Sequence, residues 1–129
     1  MNILKLQEQI VTFLKTKATR VYFQKAPDNA TFPYIVYDLP NSGENFSRED
    51  FILEVDFWDN VLDTTVLETL VGSVDGDGHI LNPTGLHRKN IYVNGVISAK
   101  FYRQARLTIV DEDDRIKRRQ LRYQVQAYL

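Results

Sequence analysis

Ile3, Leu6, Ile10 and Phe13 or Leu14 recur at spacings of three and four, the apolar stripe of an amphipathic helix over residues 2–17. RVYFQ (20–24) then reads as a short strand, and KAPDNAT (25–31) as a loop by its Pro, Asp and Asn. In TFPYIVYDLP (31–40), Pro33 cannot donate to a ladder, so it marks the entry of a strand over 34–39 and pushes Phe32 toward an extended conformation. Tyr34, Ile35, Val36 and Tyr37 leave neither face of that strand polar, which predicts an inner strand with helices on one side and a helix or neighbouring subunit on the other.

NSGENFSRED (41–50) has the composition of a polar loop. In FILEVDFW (51–58), Phe51, Leu53, Val55 and Phe57 alternate with Ile52, Glu54, Asp56 and Trp58, so one face is core while the other is acidic in its middle and apolar at its ends. Leu62, Val66, Leu70 and Val74, with Leu67 and Val71 beside them, predict a second helix, capped by Asp59 or Asn60 and ended by the glycines from Gly72 to Gly78. Asn94-Gly95 between apolar runs predicts a two-residue hairpin turn. A longer hairpin follows. Ile97, Ala99, Phe101, Ala105, Leu107 and Ile109 on one arm, and Leu121, Tyr123, Val125, Ala127 and Leu129 on the other, are all odd-numbered. Opposed residues share a face, so paired numbers sum to an even value, Phe101 lies near Val125, Ala105 lies near Leu121, and the loop holds an odd number of residues unless a bulge intervenes. The predicted fold class is α+β: a mainly antiparallel sheet packed by two amphipathic helices, with a long C-terminal β-hairpin whose charged tip projects.

The length of 129 residues suits one domain, 1–129, able to bury a core without staples. Sixteen Lys and Arg against seventeen Asp and Glu give no bulk reason to expect a nucleic-acid or membrane surface, so any charge argument is local. The absence of cysteine excludes disulfides, a thiol nucleophile and thiolate metal sites. Glu8 interrupts the apolar pattern of the first residues, so the start does not read as a signal peptide, and the chain is expected to be kept whole. No apolar run approaches the length of a membrane span.

Chemistry-bearing motifs are sparse. Asp111, Glu112, Asp113 and Asp114 read as a solvated turn rather than a metal loop, since the spaced ligands and glycine of a calcium loop are missing, and VDGDGH (74–79) reads as a helix-ending loop. His79 and His87 sit in loops with no triad pattern around them, and no GxxxxGK[ST] or GxGxxG occurs. No catalytic residue, cofactor or metal is expected. The one basic cluster, RIKRRQLR (115–122), has Tyr102, Tyr123 and Tyr128 nearby and admits a nucleic-acid surface, although the adjoining acids favour a solvated face or protein interface. Ile52 and Trp58, on the strand face away from the core, call for cover by a helix of the chain or by a partner.

Taken together, Ala26-Pro27, the block Phe32–Tyr37 within FPYIVYDL, Val55–Asp59 within DFWD, and Arg119–Val125 within DEDDRIKRRQLRYQV resemble the small tail-completion, or tail-terminator, proteins of long-tailed bacteriophages and prophages. The resemblance spans most of the chain, with NIYVNGVISAKF longer than in the shorter members. It implies a structural, non-enzymatic protein of the virion that forms a ring, a hexamer by the resemblance, at the head-proximal end of the tail. There it would cap the tail tube, contact the tube protein and the head connector or stopper, and let DNA pass through its lumen after assembly in the bacterial cytoplasm. On this reading Asp111, Glu112, Asp113, Asp114, Arg115, Lys117, Arg118 and Arg119, with Ile52 and Trp58, make subunit or tube contacts. Charge pairing between subunits fixes register, and reversing Arg118 and Arg119 to Glu is expected to abolish rings without altering the circular dichroism. The alternatives are a neck or minor capsid component of the head–tail joint, a nucleic-acid-binding domain using 115–122, and a small metal-dependent enzyme using Asp111, Asp113 and His87.

Overall fold

The computed structural model describes residues 3–45 and 47–128. In chain order the elements are α1 (Ile3–Lys15), β1 (Val21–Phe23), β2 (Tyr34–Asp38), β3 (Asn41–Asn45), β4 (Arg48–Asp59), α2 (Thr65–Asp75), β5 (Asn90–Val93), β6 (Ile97–Val110) and β7 (Lys117–Tyr128). The protein is α+β. The strands form one sheet in the order β1-β2-β4-β7-β6-β5, with β3 pairing the start of β4 beside β2. Among the described residues, β1–β2 is parallel and the other pairings are antiparallel.

Both helices pack on one face of this sheet. Leu6, Ile10 and Leu14 of α1 and Leu67, Val71 and Val74 of α2 join Ile35 and Tyr37 of β2, the odd-numbered Phe51–Phe57 of β4, and Leu121, Tyr123, Val125 and Ala127 of β7 in one buried cluster. The alternation of β4 is therefore a direct record of which side chains meet the helices. The stripe of α1 falls as predicted, and α1 ends two residues early because Thr16 and Lys17 close the last turn with N–H bonds to Phe13 and Leu14.

Several expectations are corrected. Helix α2 begins at Thr65, not after Asp59 or Asn60: Asp59 is the last residue of β4 and buried, and the Asp63 carboxylate instead accepts the Thr65 N–H at 3.0 Å. Leu62 consequently lies outside the helix, and Leu67, Val71 and Val74 form its buried stripe. The polar 41–50 segment is largely strand, a hairpin of β3 and β4 whose paired residues before Phe51 are polar or glycine and so leave no apolar signature. The turn at Asn94-Gly95 is placed as expected, but Val93 pairs Ile97, so its loop has three residues, with Gly95 at φ 71°.

Beyond the pairs Phe101–Val125 and Arg103–Tyr123, the register slips by one at Gln104: Ala105 opposes Arg122 and Arg106 opposes Leu121. The pairing of Ala105 with Leu121 is thus overturned by a β-bulge, and the loop between Val110 and Lys117 holds six residues, an even number. Past the bulge Ala105, Leu107 and Ile109 turn to the face opposite the helices, while Arg106 and Thr108 turn toward α2. Leu129 lies outside the described residues.

The second face of β2 is covered, among the described residues, by aromatic side chains of the sheet and its entering loop rather than by a helix. Tyr34 is walled by Tyr22, Phe32 and Trp58, stacking on the last with ring centroids 5.9 Å apart and planes 13° from parallel. The Arg118 guanidinium lies 3.9 Å above the Trp58 ring. Arg118 stands directly opposite Trp58 across β4–β7, so the sheet register itself delivers the cation to the indole.

Candidate functional site: the distal β-hairpin

Among the described residues, the sheet leaves a long stretch of β6 without a neighbour on its outer edge. β5 covers β6 only over Ile97–Lys100, and hydrogen bonds from Arg88 N–H to Phe101 O and from Arg103 N–H to His87 Nδ1 extend that cover to residue 103. From Gln104 to Val110 no strand pairs the outer edge of β6 among the described residues. Unpaired strand edge is a template for another strand unless it is blunted by charge or short length. Apolar groups gather at its end: Val110 is 90% exposed and Leu62, on the β4–α2 loop, is 82% exposed. Between them lies an open groove of about 330 Å³, whose walls include Thr64, Ile109, Ile116 and Arg119.

The ten residues singled out from the sequence divide into two groups. Asp111 accepts the Asp113 N–H at 2.9 Å, Asp113 holds Arg115 through two hydrogen bonds of 2.9 and 3.0 Å, and Lys117 Nζ donates to the Asp114 carbonyl at 3.0 Å. The hydrogen bond from Arg115 holds the Asp113 carboxyl down at about 2. Glu112, Asp114 and Arg115 face solvent at the tip. Arg118, Arg119, Trp58 and Ile52 belong instead to the chain's own packing. Arg119 bonds Glu68 of α2, whose carboxyl it holds below its ordinary value, and Arg106 reaches the same carboxylate at 2.8 Å. Arg118 stacks on Trp58, and half-buried Ile52 sits opposite Gln124.

Reversing Arg118 and Arg119 therefore sets like charges against Asp56 and Glu68 inside the subunit, so the double reversal acts on the subunit's own ion pairs as well as on any ring contact. The basic run is likewise largely neutralised within the chain, with Arg122 on Glu54 at 2.9 Å beside Gln120 on Asp56 at 3.0 Å. Nor do Asp111, Asp113 and His87 form a centre: His87 bonds Arg103, at the other end of the distal β6 segment from the acidic turn.

A second constellation was not visible in the sequence. Asp75, the last residue of α2, is 4% exposed; its Oδ1 accepts the Tyr123 hydroxyl at 2.7 Å and its Oδ2 accepts Arg103 Nη1. Burial, with the Asp75 charge added, drives the Tyr123 phenol far above its ordinary value. The network is held where the backbones of Gly76 and Gly85 touch, flanked by Leu86 N–H to Val74 O at 2.7 Å and His87 N–H to Asp75 O at 3.1 Å. Its members come from three separate elements, α2, β6 and β7, so no local spacing announces them. The VDGDGH loop is a helix-ending loop as expected. It is held by Asp77 Oδ1, which accepts the N–H groups of His79 and Thr84 at 3.0 and 3.1 Å, and by His79 Nδ1, which accepts those of Leu81 and Asn82.

Because a backbone N–H can only donate, the Arg103 contact fixes His87 Nδ1 as an unprotonated acceptor. Burial pushes the His87 pKa down, the Asp75 charge opposing and Arg103 and Arg88 reinforcing it. A depressed histidine binds its proton more readily unfolded than folded, so its contribution to stability is present above the ordinary value of 6.5 and is lost as pH falls below it. Urea unfolding is expected to give a lower midpoint at pH 5.5 than at pH 7.5. His87→Asn, which can present an amide oxygen near the Nδ1 position, is expected to shrink that difference. An unchanged difference would exclude His87 as its source.

No helix among the described residues is long and apolar enough to cross a membrane. No family model matches the sequence, and comparison with curated proteins finds no match.

Proposed function

We propose that the protein is a structural, self-assembling component that forms a ring closing the tail tube of a long-tailed bacteriophage or prophage and docking to the head connector. The observation that carries this reading is the distal β6 segment, an unpaired strand edge ending in the exposed apolar Val110 beside exposed Leu62. An exposed edge of this kind is stabilised by a partner that continues the sheet or covers the apolar tip, and a ring supplies such a partner to every subunit through the same heterologous contact. The resemblance of FPYIVYDL, DFWD and the C-terminal hairpin to tail terminators names the assembly to which such a ring would belong. The same surface would also serve a neck component of the head–tail joint.

Native mass spectrometry over a concentration series, with negative-stain imaging in the presence of tail tubes, is expected to show rings seated on tube ends. Leu62→Asp/Val110→Asp is expected to abolish them while changing stability by no more than about 0.5 kcal/mol, since both side chains face solvent in the subunit. A wild-type protein that stays monomeric beside tail tubes, or rings indifferent to both substitutions, would overturn the reading.

A further inference from the structure

At the opposite end of β6 lies a second open groove, of about 420 Å³, between the 80–83 loop and the start of the β5–β6 hairpin. Its apolar wall is Ile80 and Leu81, 72% and 80% exposed, and its rim carries Arg88, Lys89 and Lys100. None of these three cations is in an ion pair among the described residues. The groove wall is not slack, because the backbone N–H bonds accepted by Asp77 and His79 described above fix the loop that carries Ile80 and Leu81. The hairpin tip is its chemical complement: one apolar side chain, Val110, followed by Asp111, Glu112 and Asp114, which likewise lack an intrachain ion pair among the described residues.

We infer that this groove receives the hairpin tip of a second copy of the chain, with Val110 against Ile80 and Leu81 and the acidic turn against Arg88, Lys89 and Lys100. The inference rests on the self-association proposed above and gives it a specific contact. The tip cannot fold back into its own groove. Lys100 and Val110 lie on one continuous strand, about 30 Å apart at the rise of a β-strand, so the two surfaces can meet only between molecules. An apolar centre inside a ring of opposite charges is the layout in which burial supplies affinity and the rim supplies orientation and salt dependence. Tip and groove are different patches of the subunit, so each copy retains a free tip or a free groove until the chain of contacts closes on itself.

The cysteine-free sequence permits a direct test with two single-cysteine variants, Val110→Cys and Leu81→Cys, both at exposed positions. Mixed and treated with a short bismaleimide, they are expected to yield the mixed product in clear excess over either self-product and over a Val110→Cys/Lys25→Cys control. Arg88→Glu/Lys100→Glu is expected to weaken self-association about tenfold, and Glu112→Lys/Asp114→Lys in the mixing partner to restore it. Rings that form with no preferential 110–81 product would overturn the docking inference and leave the ring reading standing. Preferential product found only in closed pairs would keep the docking contact and remove the ring. A monomer giving no preferential product would remove both.

Discussion

Gly85→Ala is expected to yield little or no folded protein. A Cβ at residue 85 would sit 2.4 Å from the Asp75 carbonyl carbon, the Gly76 nitrogen and the Val74 carbonyl oxygen, all backbone atoms that no rotamer change can move. Relieving the overlap means separating the end of α2 from the 85–87 segment, which breaks the Leu86–Val74 and His87–Asp75 hydrogen bonds and unseats buried Leu86 and Asp75. The loss should exceed about 4 kcal/mol, a large share of the stability of a domain this size. Gly72→Ala is the contrasting control. It lies within α2 with open space where its Cβ would go, and should gain about 0.5–1 kcal/mol from helix propensity. Thermal melts followed by circular dichroism check both, and a Gly85→Ala protein melting near the wild type would show that the crossing is looser than its geometry implies.

Asp75→Ala carries the second largest expected effect, a loss of about 3–5 kcal/mol. The substitution does more than delete two bonds: it leaves the enclosed Tyr123 hydroxyl without an acceptor and the Arg103 guanidinium without its counter-charge. Tyr123→Phe removes only the donor and leaves Arg103 to satisfy the carboxylate, so its cost should be about 1–2 kcal/mol. The double variant should lose less than the two single losses combined, because the phenol is no longer present to be stranded. Urea titration of the four proteins measures the coupling. Strict additivity would mean that Asp75 acts through Arg103 alone.

These two sites are also where the sequence was least informative. The stripe Ile3–Leu6–Ile10–Leu14 and the alternation of β4 could be read because each faces a single continuous surface, so spacing alone encodes the contact. The hairpin was half legible. Its odd-numbered apolar residues keep one parity on both sides of Gln104, but the bulge makes them serve different faces, and parity does not say which face is covered once the helices are left behind. β3 left no trace because Asn41, Ser42, Gly43 and Glu44 contribute backbone, not apolar side chains, to their pairing. Of the candidate interface residues, spacing found the exposed turn but gave no sign of the intrachain contacts of Arg118 and Arg119, whose partners Trp58 and Glu68 lie 60 and 51 positions away (118 − 58 and 119 − 68). The Gly76–Gly85 approach and the Asp75 network are tertiary throughout.

The position of β7 in the sheet has a consequence for how the molecule comes into being. Residues 117–128 occupy the middle of the sheet, between β4 and β6, and pair with β4 across as many as 80 positions (Arg48 with Tyr128, 128 − 48). A nascent chain that has emerged only as far as residue 116 holds every other strand and both helices, yet has nothing to join β4 to β6. Folding must then wait for the final dozen of the described residues, and such distant closures are slow. Until they arrive, both flanks of the missing strand lie open, so a ribosome stalled near residue 116 would display an adhesive intermediate, the species on which a holding chaperone would act.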